Sequence, residues 1–371
     1  MTSRERLLAA LRLQPVDRVP LHVRGVRPWD EQWVATRDAS YAPVIAAVAE
    51  HGDYVDWWGA PAGTFYSATP VPTDGWTEDR EDWVAHYTIY HTPGGDLRTM
   101  SLSSKRGLPG MQMEFMVKDL DDLDKVLSVP YEPSRPDCAG FFAKTEQMGE
   151  RGLIMCGIHN AISMMHGLMG SERLALWSIM ERQRILDLLW TFHRRCLEHV
   201  EYVISQGVGP CFAMSGEEYV TPPLHSPRDF REFVVEPEQE LAAAIHRAGH
   251  LLHIHCHGPL SDVLEEFATL GADCLHPLEA PPMGDVTLVD AKRRIGARIC
   301  LEGNIQIGDI YAGKTADLVT EMEHNLRVTG GQGYIVCPTA SPHTAVLTEL
   351  TVRNYLAMIE VVVRAADVNR V

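Results

Sequence analysis

The sequence has no Cys-x-x-Cys pair, and its eight cysteines are scattered over 371 residues. A disulfide framework is therefore not expected. There is no apolar run of about 18 residues, the length that would cross a bilayer. Met1 is followed by Thr2-Ser3-Arg4-Glu5, not by an apolar stretch, so no signal peptide is predicted and the cytoplasm is the expected compartment. Basic residues are scarce: 33 Lys and Arg against 50 Asp and Glu leave a formal charge of −17. Such an acidic surface argues against nucleic acid and anionic membrane as partners. Neither G-x-G-x-x-G nor G-x-x-x-x-G-K-[ST] occurs, so a dinucleotide or P-loop fold has no support. Without a G-x-S-x-G elbow, a serine nucleophile has little. No internal repeat and no low-complexity linker interrupts the chain.

Hydrophobic residues make up 45% of the chain, enough for a large core. An opening helix is predicted from a Thr2/Glu5 capping box and from Leu7, Leu8, Leu11 and Leu13 along one side, with Pro15 stopping it. Residues 19–23 (VPLHV) read as a first strand that delivers Arg24 and Arg27 to the loop beyond. Residues 30–135 are irregular and rich in tryptophan, with a β-hairpin expected where 87–90 runs into Thr92-Pro93-Gly94-Gly95. From about residue 150 the rhythm is regular. Strands at 153–157, 211–214, 251–255, 274–278, 298–301 and 334–337 alternate with helices at 229–248, 260–270, 288–295, 316–328 and 345–366. That alternation means βαβ units and a parallel sheet. The expected fold is a single (β/α)8 barrel domain spanning 1–371, with an N-terminal elaboration that shapes the pocket.

In such barrels the C-terminal strand ends carry the chemistry. Here they are unusually polar: His159 and Asn160; Ser215, Glu217 and Glu218; His255 and His257; His276 and Glu279; Glu302 and Asn304; then Cys337. Buried charge costs several kcal/mol unless it is paired or used, so this succession points to an active site and against a purely non-catalytic binding barrel. Glu217 and Glu218 are adjacent, so on extended backbone one of them faces the mouth. Glu302 and Asn304 are two apart, so both should share one face, with Gly303 allowing close backbone approach.

The densest group is His253-Ile254-His255-Cys256-His257. Strand alternation puts the three histidines on one face and Ile254 and Cys256 on the other. Neutral imidazoles so placed suit a transition metal, although a zinc site needs at least three protein ligands.

The chain resembles the uroporphyrinogen decarboxylase superfamily. The similarity lies in Asp17-Arg18-Val19-Pro20, Gly216-Glu217-Glu218-Tyr219, Ser226-Pro227 with Phe230-Arg231-Glu232-Phe233, Leu301-Glu302-Gly303-Asn304, and Gly333-Tyr334-Ile335. The cobalamin-dependent methyltransferase branch carries a His-x-Cys-Gly zinc motif, which falls on His255-Cys256-His257-Gly258 with histidine in place of the thiolate. The resemblance implies zinc on His255, His257 and a third ligand, Cys337 or Glu279, beside a corrinoid (cobalamin) on a partner protein. Glu217, Glu218 and Glu279 would handle protons or complete the metal shell. Arg24 would be catalytic, with Arg27, His159, Asn160, His276, Glu302 and Asn304 binding substrate. The leading expectation is a metal-dependent methyltransferase. The alternative is a cofactor-free decarboxylase or lyase with Arg24 and Arg27 as carboxylate clamps.

Overall fold

A computed structural model describes residues 1–106 and 108–368. Its centre is a curled parallel sheet. The strands in chain order are β1 (Tyr54–Gly59), β2 (Thr73–Asp79), β3 (Trp83–Thr92), β4 (Gly95–Ser104), β5 (Met111–Glu114), β6 (Gly152–Gly157), β7 (Cys211–Ser215), β8 (Leu251–Cys256), β9 (Cys274–Pro277), β10 (Cys300–Ile305) and β11 (Tyr334–Pro338). The parallel sheet runs β1-β6-β7-β8-β9-β10-β11, and β2-β3-β4-β5 form a separate antiparallel sheet. The expected hairpin is the β3–β4 pair, in register from Thr92↔Gly95 to Trp83↔Ser104.

Segment 19–23 departs from the expectation. It forms a single bridge, Leu21↔Val336, not a paired strand. His22 N donates to Val336 O and Val336 N to Pro20 O, both at 2.9 Å, while Asp53 N reaches Leu21 O on the other side. Pro20 has no N–H to donate, which shortens any ladder here. β1 was not foreseen within the irregular region 30–135. The long helix expected over 229–248 is present as one continuous run, Pro227–Phe230 and Glu236–Arg247 joined through a π-helical segment at Arg231–Val235.

Strand alternation splits the sheet into two apolar layers. The concave floor holds Val55, Leu153, Met155, Cys211, Leu251, Cys274, Cys300 and Ile335, plugged by Leu7, Ala10 and Leu11 of the N-terminal helix. That helix, Ser3–Leu11, starts at the expected capping box, in which Thr2 and Glu5 bond each other's backbone N–H. The convex face packs Ile154, Phe212, Ile254, Cys256 and Leu275 against the surrounding helices. Burying a leucine of the plug contributes about 2 kcal/mol. Among the described residues, no helix is long and apolar enough to cross a membrane.

Candidate active site

Above the apolar floor, the inward positions turn polar. Each of β8, β9, β10 and β11 supplies a side chain two residues beyond its floor residue: His253 after Leu251, His276 after Cys274, Glu302 after Cys300, and Cys337 after Ile335. All four are buried, with relative exposures of 2% or less, and His22 joins them from the bridge segment at 3%.

Glu302 is the hub. Its Oε1 lies 2.6 Å from His22 Nδ1 and its Oε2 lies 2.7 Å from His253 Nε2. Burial alone would raise its pKa, but the two imidazole hydrogen bonds outweigh burial and hold it well below the usual carboxylate range. An ionised carboxylate only accepts, so both imidazoles donate to it. His253 Nδ1 is buried and without a partner. Cys337 Sγ sits 3.6 Å from His22 Nδ1 and 3.5 Å from His276 Nε2. Burial, followed by Glu302, pushes the thiol pKa well up.

The histidine tautomers form a chain. His276 Nε2 faces the Pro338 carbonyl at 3.2 Å, so it carries the proton. Burial keeps His276 neutral, so its Nδ1 accepts, and His255 Nδ1 donates to it at 2.6 Å. Burial, then the Arg24 charge, likewise keep His255 neutral, which leaves its Nε2 as a lone pair. Beside these groups opens a cavity of about 330 Å³, lined among others by Arg24, Trp57, His159, Ser215, His253 and His255. Arg24 lies over the Trp57 ring at 4.8 Å, and its Nη1 is buried without a partner. A larger groove of about 630 Å³, between Pro43 and the C-terminal helix, contains no imidazole or thiol.

The expected site residues do not all meet here. Arg24, His159 and His255 line the cavity, and His276, Glu302 and Cys337 lie at the inner polar layer. His257 is partly exposed and pairs with Glu279 at 3.1 Å, whose Oε2 also accepts from Gly258 N; Glu279 thus pins the loop after β8. His255, His257 and Cys337 do not form one compact donor group. Among the described residues such groups are His22/Glu302/Cys337, His253/Cys274/Glu302 and Glu217/Glu218/Cys256, each with its donor atoms within 4.8 Å of one another. Arg27 sits 3.8 Å from Asp30 and is not part of the cavity lining.

Two face assignments need correction. Asn304 does not share a face with Glu302: its Oδ1 accepts from Asn325 Nδ2 on the helix Thr315–Thr329. Gly303 at φ +141° interrupts the alternation. Glu217 and Glu218 do not lie on extended backbone but in the turn Glu217–Val220, and neither lines the cavity. Glu217 bonds Asn160 Nδ2 at 2.8 Å, so Asn160 also sits in the wall and not at the cavity.

Two inner residues were missed, His22 and Cys274. The signal for His22 was present, since it is two residues before Arg24 on what reads as a strand, hence on the same face.

A family model described as uroporphyrinogen decarboxylase (URO-D) matches residues 144–364. No curated protein matches the chain. Among solved structures, a methyltransferase from Methanosarcina mazei is similar over 100% of both chains, at 19% identity and a TM-score of 0.61. A B12-independent methionine synthase from Shewanella sp. W3-18-1 is similar over 95% of this chain and 98% of its own, at 11% identity and a TM-score of 0.49. With the family match spanning more than half its length, this chain belongs to the uroporphyrinogen decarboxylase family.

Proposed function

We propose that the protein is a metal-dependent methyltransferase acting on a small anionic molecule in the cavity beside Arg24. The barrel's eighth stave, in this reading, is the segment 20–22. The observation that carries the proposal is the convergence of one ligand atom each from His22, Glu302 and Cys337 within 4.8 Å of one another. An imidazole, a carboxylate and a thiol are zinc donors, and three protein ligands are the number a catalytic zinc takes. The residues therefore fit zinc, and His22, Glu302 and Cys337 would hold it. Of the ligands expected from the family resemblance, this set keeps Cys337 and substitutes His22 and Glu302 for His255 and His257. Bound zinc supplies a Lewis acid that activates the methyl acceptor or donor. The fold shared with the Methanosarcina methyltransferase is compatible with this reading.

The chain's own groups divide the remaining work. Arg24 binds the substrate's negative charge through its unpaired Nη1, and Trp57 holds the guanidinium in place. His253 Nδ1 is oriented by Glu302 and accepts a proton from the bound molecule. His255 Nε2 offers a second acceptor. A cavity of about 330 Å³ suits a small ligand and would not enclose a corrin ring, so a corrinoid would be carried by a partner protein.

Metal analysis of purified protein tests the assignment. One equivalent of zinc should be present and lost in His22→Ala and in Cys337→Ala, but kept in His257→Ala. Loss in His257→Ala with retention in His22→Ala would return the metal to the β8 histidines.

A second reading, a decarboxylase or lyase of a small carboxylic acid, is favoured by Arg24 itself. Its unpaired guanidinium next to neutral imidazoles is what carboxylate binding followed by protonation of a carbanion requires. Turnover of a carboxylic acid by metal-stripped protein, abolished in Arg24→Ala, would select it.

A further inference from the structure

On the convex side of β8, opposite His253 and His255, lies a cluster that the proposed chemistry does not use. Cys256 points outward and is fully buried. One ligand atom each from Cys256, Glu217 and Glu218 falls within 4.8 Å of the others. Glu217 is 0% exposed; its Oε1 accepts from Asn160 Nδ2, and its Oε2 has no partner. Behind it stands Glu238 of the helix Glu236–Arg247, 1% exposed, with no partner at full hydrogen-bond distance on either carboxylate oxygen and the Asn160 amide near enough to favour its charged form slightly. Glu238 is close enough to interact electrostatically with both Glu217 and Cys256.

Three buried carboxylate oxygens without partners are an unstable arrangement, since an isolated buried charge costs several kcal/mol. Either protons or a cation must neutralise them. Protons do so when no metal is bound, and unpaired carboxylate oxygens beside a thiol are also the arrangement a metal ion draws together. We propose that Glu217, Glu218 and Cys256 form a second metal site in the barrel wall, taking a divalent transition ion such as zinc or cobalt, with the Glu238 carboxylate adding its charge from behind. The sulfur donor selects these ions over calcium or magnesium, which prefer all-oxygen shells. Half-buried Glu218, at the mouth side of the cluster, gives the ion its way in.

The site braces three elements: the turn after β7, the end of β8 and the helix Glu236–Arg247. Because β8 also carries His253 and His255, the brace holds the wall from which those imidazoles project. In the metal-free protein the cluster holds protons instead. Burial, then Glu218, push Glu217 up to about 8, and burial, then Glu217, raise Glu238 well above the usual range. Metal binding therefore releases protons.

The proposal is independent of the assignment of zinc to His22, Glu302 and Cys337, and the test separates the two. Metal-stripped Cys337→Ala protein, which lacks the inner thiol, is titrated with Co²⁺ alone. One equivalent should bind with a thiolate-to-cobalt charge-transfer band and with proton uptake by a weakly buffered indicator. Adding Cys256→Ala should abolish the band, and adding Glu238→Gln should weaken binding at least tenfold. Far-ultraviolet circular dichroism confirms that each variant is folded, with Cys256→Ser as the closer isostere if the alanine variant is not. No band in Cys337→Ala, or a band that survives loss of Cys256, overturns the wall site. No band in the Cys256→Ala single variant, with the wall band intact elsewhere, overturns the inner site and leaves this one standing.

Discussion

Glu302 Oε2 accepts a hydrogen bond from His253 Nε2 at 2.7 Å, and His253 Nδ1, on a residue that lines the cavity, is buried without a partner. The same carboxylate accepts from His22 through its other oxygen. Two donors on one carboxylate cannot be reproduced by an amide, whose NH₂ would face one of the imidazoles. Glu302→Gln should lower stability by about 2 kcal/mol and kcat by about 100-fold, in the range of other losses of general-base positioning. Thermal unfolding and steady-state kinetics on the same preparation read both.

Arg24 carries the substrate prediction. Hydrogen bonds to charged groups contribute about 1.5–3 kcal/mol, so Arg24→Met should raise KM for an anionic substrate by roughly 10- to 100-fold. kcat should change far less, because methionine still covers Trp57. A neutral analogue of the substrate should be nearly indifferent to the substitution. Equal losses on charged and neutral substrates would remove Arg24 from substrate recognition.

The sheet was legible because its signal is local. Inward and outward positions of β8 follow strand parity as read from the sequence, with Ile254 and Cys256 in the convex apolar layer. Six of the seven parallel strands fell within a few residues of their predicted bounds. The site was legible only in part, since a strand end does not say which partner it meets. His255 was singled out for its neighbours in sequence, yet its hydrogen bond is to His276 from the next strand. His22 sits 280 residues from Glu302, and only the bridge to β11 brings it there. Asn304 was misplaced because parity assumes regular backbone, which Gly303 does not have. Glu238 was hidden inside a helix, although its spacing to Leu241, Ala242 and Ile245 marks the buried face.

Gly303 is a position where no side chain fits. A Cβ there would lie 2.1 Å from the Pro277 carbonyl oxygen, a backbone atom that cannot swing away, and φ is +141°. Gly303→Ala should therefore cost about 2 kcal/mol or more through strain and displacement of β9. Because Glu302 precedes it and His276 precedes Pro277, kcat should fall together with stability. Chemical denaturation checks the first, and an unchanged midpoint would mean that the two strands move apart freely.

Arg6 ties the floor of the sheet to its polar layer. Its Nη1 bonds Asp53 at 2.6 Å, and its Nε and Nη2 bond both oxygens of Asp17. Asp53 in turn accepts from Arg18 and from Leu21 N, the residue before His22. Breaking a buried ion pair on one side typically costs 3–5 kcal/mol, so Arg6→Met should lower stability by about 3 kcal/mol and loosen His22. The Arg6 guanidinium, as the main cause, holds the Asp17 carboxyl well below its usual value of 3.8. Between the folded and unfolded pKa values the unfolded chain binds more protons, so this contribution is complete above about pH 4 and is lost as pH falls further. The acid limb of the wild-type stability profile should therefore be steeper below pH 4 than that of Arg6→Met. Parallel acid limbs in urea titrations of the two proteins would show that Asp17 is not held by Arg6.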